Sequence, residues 1–344
     1  TLAQLLARQP GIQYVANGGE GTNSGVFIRG ASTNQSIVLI DGQRIGSATT
    51  GSAALSRIPL NQIERIEILR GPASSLYGAD AIGGVIQIFT RRGEGPARVN
   101  ASTGYGSFNT SDTTIGVSGG SDLVSYSVQA GYLNTDGFNA IHNKQSVFYD
   151  PDRDGYYNRN LSANFAVRPA KGHEIGVNLL ASKGSNQYDG NDFSALGPAK
   201  NYNNDQMVGS YSIYSRNRLH QAWTSTLRLG RSTDQAKDYA GSFRASTFRT
   251  DMDLASWQND IRLPVGEALL AAEYTRQKVS GTTDYTVSER TIRSLLAGWN
   301  ASCDSSSISV PAARPSSSTW PGRLRRSKVR RSASMGVQCG GSGL

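Results

Sequence analysis

The chain has 344 residues, with 35 Lys and Arg against 26 Asp and Glu for a formal charge of +9, and is rich in glycine (39) and tyrosine (15). Mean hydropathy is −0.40, and the chain contains no run of about 18 apolar residues, which excludes membrane-spanning helices. Strands of about 10 residues with every second one apolar can still cross a bilayer within so polar an average.

The first elements predict a small α+β domain with tight turns. Ser36-Ile37-Val38-Leu39-Ile40 is a short apolar run ended by Asp41-Gly42, the pattern of a buried strand entering a turn. Residues 63–69 alternate Ile63, Ile66 and Ile68 with charged Glu64, Arg65 and Glu67, and the alternation breaks at Gly71-Pro72. Gly83-Gly84 precedes Val85-Ile86-Gln87-Ile88-Phe89, a further strand. The glycine-rich turn lacks both a following Gly-Lys-Ser/Thr and the dinucleotide spacing, so it predicts no nucleotide site.

Four blocks within this stretch carry more. They are IRG at 28–30, LIDG at 39–42, EILRGP at 67–72 and LYGADAIGGVI at 76–86. In this order they resemble the plug domain of TonB-dependent outer-membrane receptors. The resemblance implies a plug over residues 1–93 that closes a transmembrane barrel of roughly 22 strands. It also implies a place in the outer membrane of a Gram-negative cell, contact with outer-membrane lipid, no enzymatic activity, and a TonB complex as partner.

Downstream, antiparallel transmembrane β-barrel strands are predicted over 94–299. Val124, Tyr126, Val128, Ala130 and Tyr132 alternate with Ser125, Ser127, Gln129 and Gly131. Leu161, Ala163, Phe165 and Val167 repeat the pattern, as do Ile175, Val177, Leu179 and Ala181. Further candidates lie near 97–105, 111–119, 207–215, 222–230, 253–263, 267–278 and 290–299, about ten strands in all. A soluble sandwich gives similar alternation; Tyr126, Tyr132, Tyr211, Tyr214, Trp223 and Trp257 near strand ends favour membrane girdles. Short connections such as 119–122 and 168–173 alternate with long polar ones at 134–159 and 183–205, which are expected to be extracellular.

One long loop carries chemistry. Asp150-Pro151-Asp152-Arg153-Asp154-Gly155 sets three carboxylates at alternate positions before a glycine bend. Clustered oxygen donors suit Ca²⁺, although a solvated acidic loop has the same composition. An EF-hand is excluded, because its twelfth position is Leu161 and the flanks alternate like strands. GYLNTDGFN at 131–139 and DPDRDGYYNRNL at 150–161 resemble the early outer loops of the cobalamin-importing branch of the family, whose loops are ordered by Ca²⁺. That resemblance implies Asn139, Asp150, Asp152 and Asp154 as ligands, with Tyr188, Asp189 and Asp205 from the next long loop. Another oxygen ligand stands at the positions of Asn139 and Asp150 in that branch, so the charge around the ion differs. A metal held by both loops would lower the ordering cost of ligand binding.

Pro10-Gly11-Ile12 through Gly19 and Ser52-Ala53-Ala54-Leu55 resemble the same branch without gaps. Loops 17–26 and 43–54 are rich in Gly, Asn, Ser and Thr, which present amides and small hydroxyls to a large polar ligand. The resemblance implies Asn23, Gly25, Ser32, Thr50 and Gly51 as ligand contacts on the plug, and Tyr285 on the barrel. The implied cargo is cobalamin or a similar chelate. A siderophore receptor of the same family and a surface adhesin or phage receptor without transport are the alternatives.

The three histidines, His142, His173 and His220, are scattered without ligand spacing or a nearby nucleophile motif, and cysteine is absent before residue 301. From about Ala301 the pattern changes. The tail holds both cysteines (Cys303 and Cys339), twelve serines, and seven of the 35 basic residues against the single acid Asp304, so it carries +6 of the formal +9. Its Arg-Ser run at 323–331 could serve as a nucleic-acid arm. The change falls inside the alternation at 295–299 with no linker, as a shifted reading frame in barrel-coding DNA would produce. The expectation is an aberrant, disordered tail over 300–344 and no nucleic-acid partner. The start at Thr1-Leu2-Ala3 enters the plug motif midway, with no signal peptide or TonB-contacting segment before it. About ten strands enclose too narrow a barrel for a plug of this size, and an open edge is costly in lipid. The chain alone is therefore expected not to transport; cobalamin uptake restored by it in a receptor-null cell would contradict this.

Overall fold

The computed structural model describes residues 1–78, 80–146, 148–190, 200–241, 243–303, 306–313 and 316–319. A helix α1 (Leu2–Ala7) precedes a hairpin of β1 (Ile12–Ala16) and β2 (Ser24–Ile28). A second sheet contains β3 (Ser36–Ile40), β4 (Gln43–Ile45), β5 (Ile63–Arg70) and β6 (Gly84–Thr90), in the order β4-β3-β6-β5, with a helical turn α2 (Ser74–Tyr77) before β6. β3 and β6 are parallel and the other two pairs antiparallel. Apolar residues cover both faces of the central strands, which explains their continuous apolar runs. Val38, Ile40, Ile86 and Ile88 pack with Leu2, Leu6, Val26 and Ile28, while Ile37, Leu39 and Val85 pack with Ala73 and Ala81.

The Asp41-Gly42 link between β3 and β4 takes φ of +48° and +82°, the two positive values that a two-residue primed hairpin turn requires. The turn is closed from inside, because the Asp41 carboxylate accepts hydrogen bonds from Thr90 N (3.1 Å) and Thr90 Oγ1 (2.5 Å). Ties of this kind link the ends of β3 and β6, the strands carrying the LIDG and GGVI blocks.

The remaining strands form one antiparallel sheet in chain order. They are β7 (Arg98–Gly106), β8 (Thr110–Gly120), β9 (Val124–Thr135), β10 (Tyr156–Ala170), β11 (His173–Gly190), β12 (Lys200–His220), β13 (Trp223–Ala240), β14 (Phe243–Leu263), β15 (Gly266–Gly281) and β16 (Glu289–Cys303). These ten match the predicted number. Two shorter strands, β17 (Ser306–Ala313) and β18 (Ser316–Thr319), both pair with β16. Both lie within the stretch after residue 299 that was expected to be an aberrant tail. An unpaired sheet edge holds any extended segment through backbone hydrogen bonds, without needing side-chain alternation. The Arg-Ser run and Cys339 lie outside the described residues. Among the described residues the sheet is open, with β7 at one edge and β17 and β18 at the other.

The polarity of this sheet is inverted relative to a soluble sandwich. Val128, Leu161, Phe165, Ile175, Val177, Ile213, Leu227, Leu229, Trp257 and Leu270 stand exposed on one face. Ser125, Ser127, Asn158, Asn160, Ser162, Asn164, Asn178, Ser182, Ser210 and Ser212 are buried on the other. The buried side faces the first domain. Gln62 donates to Asn160 Oδ1 (2.6 Å) and accepts from Ser162 Oγ, and Asn164 Nδ2 donates to Thr90 Oγ1 and to Arg91 O, both at 2.8 Å. Apolar out and polar in is the arrangement of a membrane barrel around a polar lumen. Tyr214 is a correction to the predicted girdle: it turns inward and donates to Glu174 Oε1 at 2.7 Å.

Replacing Asn164 with Val should destabilise the folded chain by about 1–3 kcal/mol, because Arg91 O loses a buried donor. Phe165→Arg on the opposite face should cost about 2–4 kcal/mol near a bilayer midplane but little in detergent-free water. Urea unfolding in lipid vesicles reads both; equal effects at the two adjacent positions in both media would contradict the assignment of faces.

Candidate functional site

Residues 136–155 link β9 to β10 at the same end of the sheet as the outer end of β11 and the β15–β16 connection. Carboxylate oxygens of Asp152, Asp154 and Asp189 lie within 4.8 Å of one another. Asp189 is near the outer end of β11, so the group joins two segments far apart in sequence. Asp150 N donates to Asp189 Oδ2 (3.3 Å), and Asn139 donates to Asp150 O. Ala140 N donates to Asp154 Oδ2 at 3.4 Å, and Gly155 N donates to Gln187 Oε1 at 3.0 Å. Burial and then the charge of Asp189 push the Asp154 carboxyl up to about 6. Burial, with the charges of Asp150 and Asp189, also raises Asp152. Carboxylates held against their mutual repulsion are relieved by a cation, and an all-oxygen set suits a hard divalent ion. The residues present therefore fit Ca²⁺.

Five of the seven metal positions implied by resemblance, Asn139, Asp150, Asp152, Asp154 and Asp189, come together here. The other two do not. The Tyr188 ring lies against Tyr202, with centroids 5.6 Å apart. It adjoins Asp189 on the same strand, and successive strand residues point to opposite faces. Asp205 pairs in register with Ser185 and Lys237, while Asp189 pairs with Asn201. It thus sits four residues deeper along the strand, where its charge acts on Arg57. The underlying cause is strand length: β11 and β12 run on through much of the stretch expected to be a loop at 183–205. Membrane alternation marks only the part of a strand in contact with lipid, and backbone pairing continues beyond it.

In the first domain, three segments pack together around the turn at 32–35. A Cβ at Gly25 would stand 2.8 Å from the Phe27 ring and 3.1 Å from Thr33 Cγ2. A Cβ at Gly51, whose φ is +73°, would stand 2.7 Å from Asn34 Cβ. Both glycines are therefore required by close packing around the turn at 32–35, where Ser32 N donates to Gln35 Oε1 at 2.9 Å. Thr50 lies in a turn closed by Gly51 N donating to Ser47 O at 2.8 Å, and Asn23 is exposed with its carbonyl accepting from Asn17 N at 3.2 Å. Gly25, Ser32, Thr50 and Gly51 are thus neighbours, with Asn23 at the margin.

Tyr285, on the β15–β16 connection, lines a cavity of about 390 Å³ together with Ala48, Thr49, Phe248 and Arg290. Its hydroxyl is buried and has no hydrogen-bond partner among the described residues. A smaller cavity of about 180 Å³, lined by Asn34, Gly51, Ala48 and Arg290, adjoins it. Tyr285 and the Thr50–Gly51 turn therefore meet across Thr49 and Ala48. Sequence reasoning missed Asn34 and Arg290, which carry no motif, and Arg57, which reads as an ordinary polar-loop arginine.

Comparison with known proteins agrees with this architecture. The family model described as the TonB-dependent receptor plug domain matches residues 1–85. The chain is 32% identical over 292 residues to the vitamin B12 transporter BtuB of Photobacterium profundum, covering 84% of this chain and 46% of that protein. It is 28% identical over 297 residues to the vitamin B12 transporter BtuB of Vibrio vulnificus, covering 84% and 47%. The chain spans about half the length of the curated relatives it matches. Among solved structures, the ferric enterobactin receptor PfeA of Pseudomonas aeruginosa superposes with a TM-score of 0.72 at 20% identity, over 93% of this chain and 56% of that one. The siderophore receptor PirA of Acinetobacter baumannii gives 0.69 at 20%, over 93% and 55%. These two likenesses show the fold. A plug seated against the polar face of an antiparallel sheet defines the class: the chain belongs to the TonB-dependent receptors, outer-membrane β-barrel proteins of Gram-negative bacteria.

Proposed function

We propose that the chain is part of a cobalamin receptor, with the ligand held between the plug apex and outer loops ordered by Ca²⁺. The observation that carries this reading is the convergence of Asp152 and Asp154 of the β9–β10 connection with Asp189 of β11. It is joined by the identity to two vitamin B12 transporters. Each half has its own chemistry. The carboxylates, with the Asn139 amide and Asp150, would bind Ca²⁺ and fix the loop against β11. The glycine-rich turns and the unpartnered Tyr285 hydroxyl would meet the amide-rich periphery of a corrinoid, which needs many neutral donors and acceptors. In the whole receptor, force from the TonB complex would shift the plug and release the ligand inward.

A second reading keeps the class and exchanges the cargo for a siderophore–iron chelate, because siderophore receptors share the fold. The identity to two vitamin B12 transporters, higher than that to either siderophore receptor, favours cobalamin over it.

Titration calorimetry on the chain in detergent micelles separates the readings. Ca²⁺ should bind saturably, and Asp154→Asn or Asp189→Asn should weaken it by about tenfold or more through loss of ligand charge. Cobalamin should bind with Ca²⁺ present and not with a chelator. Binding of a ferric siderophore in place of cobalamin would support the second reading, and a wild-type chain indifferent to Ca²⁺ would remove the metal from the account.

A further inference from the structure

Among the described residues Arg57 is the largest fully buried side chain, 1% exposed. It lies in a short turn of the plug (Leu55–Arg57), yet nearly all its partners are on the sheet. Nε donates to Gln206 Oε1 at 3.2 Å, and Nη2 donates to Asn204 Oδ1 at 3.2 Å and to Asn186 Oδ1. Its backbone carbonyl accepts from Ser182 Oγ at 2.6 Å. The guanidinium also lies over the Tyr156 ring, 5.2 Å from the centroid. Burying a cation is costly unless its donors are directed; Nε and Nη2 point at three amides of the sheet while Nη1 has no hydrogen-bond partner among the described residues, so the satisfied donors favour one relative position of plug, β10, β11 and β12.

Those strands carry the acidic cluster. Tyr156 follows Asp154 by two residues, and Asn186 precedes Asp189 by three. Arg57 therefore grips the two strands directly beneath the carboxylates that must converge. A second contact runs alongside: Gly21 of the plug packs on the Tyr156 ring, and a Cβ at Gly18 would lie 3.7 Å from Ala140 Cβ, whose own amide donates to Asp154.

We propose that Arg57 is a positioning residue that couples the seat of the plug to the geometry of the outer acidic cluster. With Arg57 seated, Asp154 and Asp189 are held at ion-binding distance. When the plug moves and withdraws Arg57, β10 and β11 lose their common anchor and the cluster opens. By linkage, an ion in the cluster also stabilises the seated plug. This ionic arm rests on reading the cluster as a Ca²⁺ site; the mechanical arm does not.

Hydrogen exchange on the full chain in detergent micelles, with and without Ca²⁺ alone as the probe, tests both arms. Without metal, Arg57→Gln should speed exchange in 136–155 by about tenfold, the scale of a lost set of hydrogen bonds to a charged group. Protection of the plug strands β3 and β6 should stay unchanged. Ca²⁺ affinity should fall by a similar factor, and Arg57→Lys should recover part of it, since one ammonium cannot span both strands as the planar fork does. Should β3 and β6 lose protection in Arg57→Gln, Asn186→Ala cuts the same contact from the sheet and must produce the same loop effect. Unchanged exchange in 136–155 with the plug intact overturns the coupling. A wild-type chain that shows no Ca²⁺ response removes the ionic arm only, and the metal-free exchange still decides the mechanical one.

Discussion

The structure depends on one constraint: the face of the large sheet turned towards the plug is polar, and buried polar groups must find partners. Asn160 and Ser162 find Gln62, Asn164 finds Thr90 and Arg91, and Ser182 finds the Arg57 carbonyl. Ser232 donates to Arg44 O at 2.7 Å, and Thr250 Oγ1 accepts from Ala48 N at 3.0 Å. These are directional contacts between neutral groups, spread over β10 to β14. They fix the plug in position yet leave no broad apolar interface that would resist its movement. Leu180 of β11 adds an apolar side chain to the plug core.

The outer site follows from that seating. Its two halves belong to different parts of the fold, the carboxylates to the β9–β10 connection and the end of β11, and the glycine-rich turns to the plug. The plug approaches the outer segments where Gly18 lies close to Ala140 and Gly21 packs on the Tyr156 ring. Gly25 and Gly51 permit the plug turns to pack closely around Thr33 and Asn34, and Thr49 then reaches the cavity below Tyr285. A cation among Asp152, Asp154 and Asp189 would lock one wall of the mouth without touching the other.

Much of the fold was legible in residue pattern. Ile37 to Ile40 and Val85 to Ile88 read as buried strands because apolar residues line both their faces, and Leu161-Ala163-Phe165-Val167 read as a half-apolar strand. What the pattern could not show is which face is inside, since alternation is the same for lipid outside as for a core inside. Tyr214 was misread for this reason: only Glu174 and Arg228, distant in sequence, explain its inward turn. The acidic loop was legible because its carboxylates are close in sequence. The reach of Asp189 to it was carried by resemblance, and the separate placement of the Tyr188 ring and of Asp205 depends on strand register. Arg57 was illegible, since a single arginine in a polar turn becomes an anchor only when β11 and β12 bring it three amides.

The central claim, a sheet with lipid on one face and the plug on the other, is tested most directly by spin labels placed one at a time from 160 to 167 on β10 of the chain in bilayers. Collision with oxygen, which concentrates in the lipid, should be high at 161, 163, 165 and 167 and low at 160, 162 and 164, where labels should be tightly packed. Aqueous-reagent accessibility at the odd positions, or no alternation along the strand, would contradict the account.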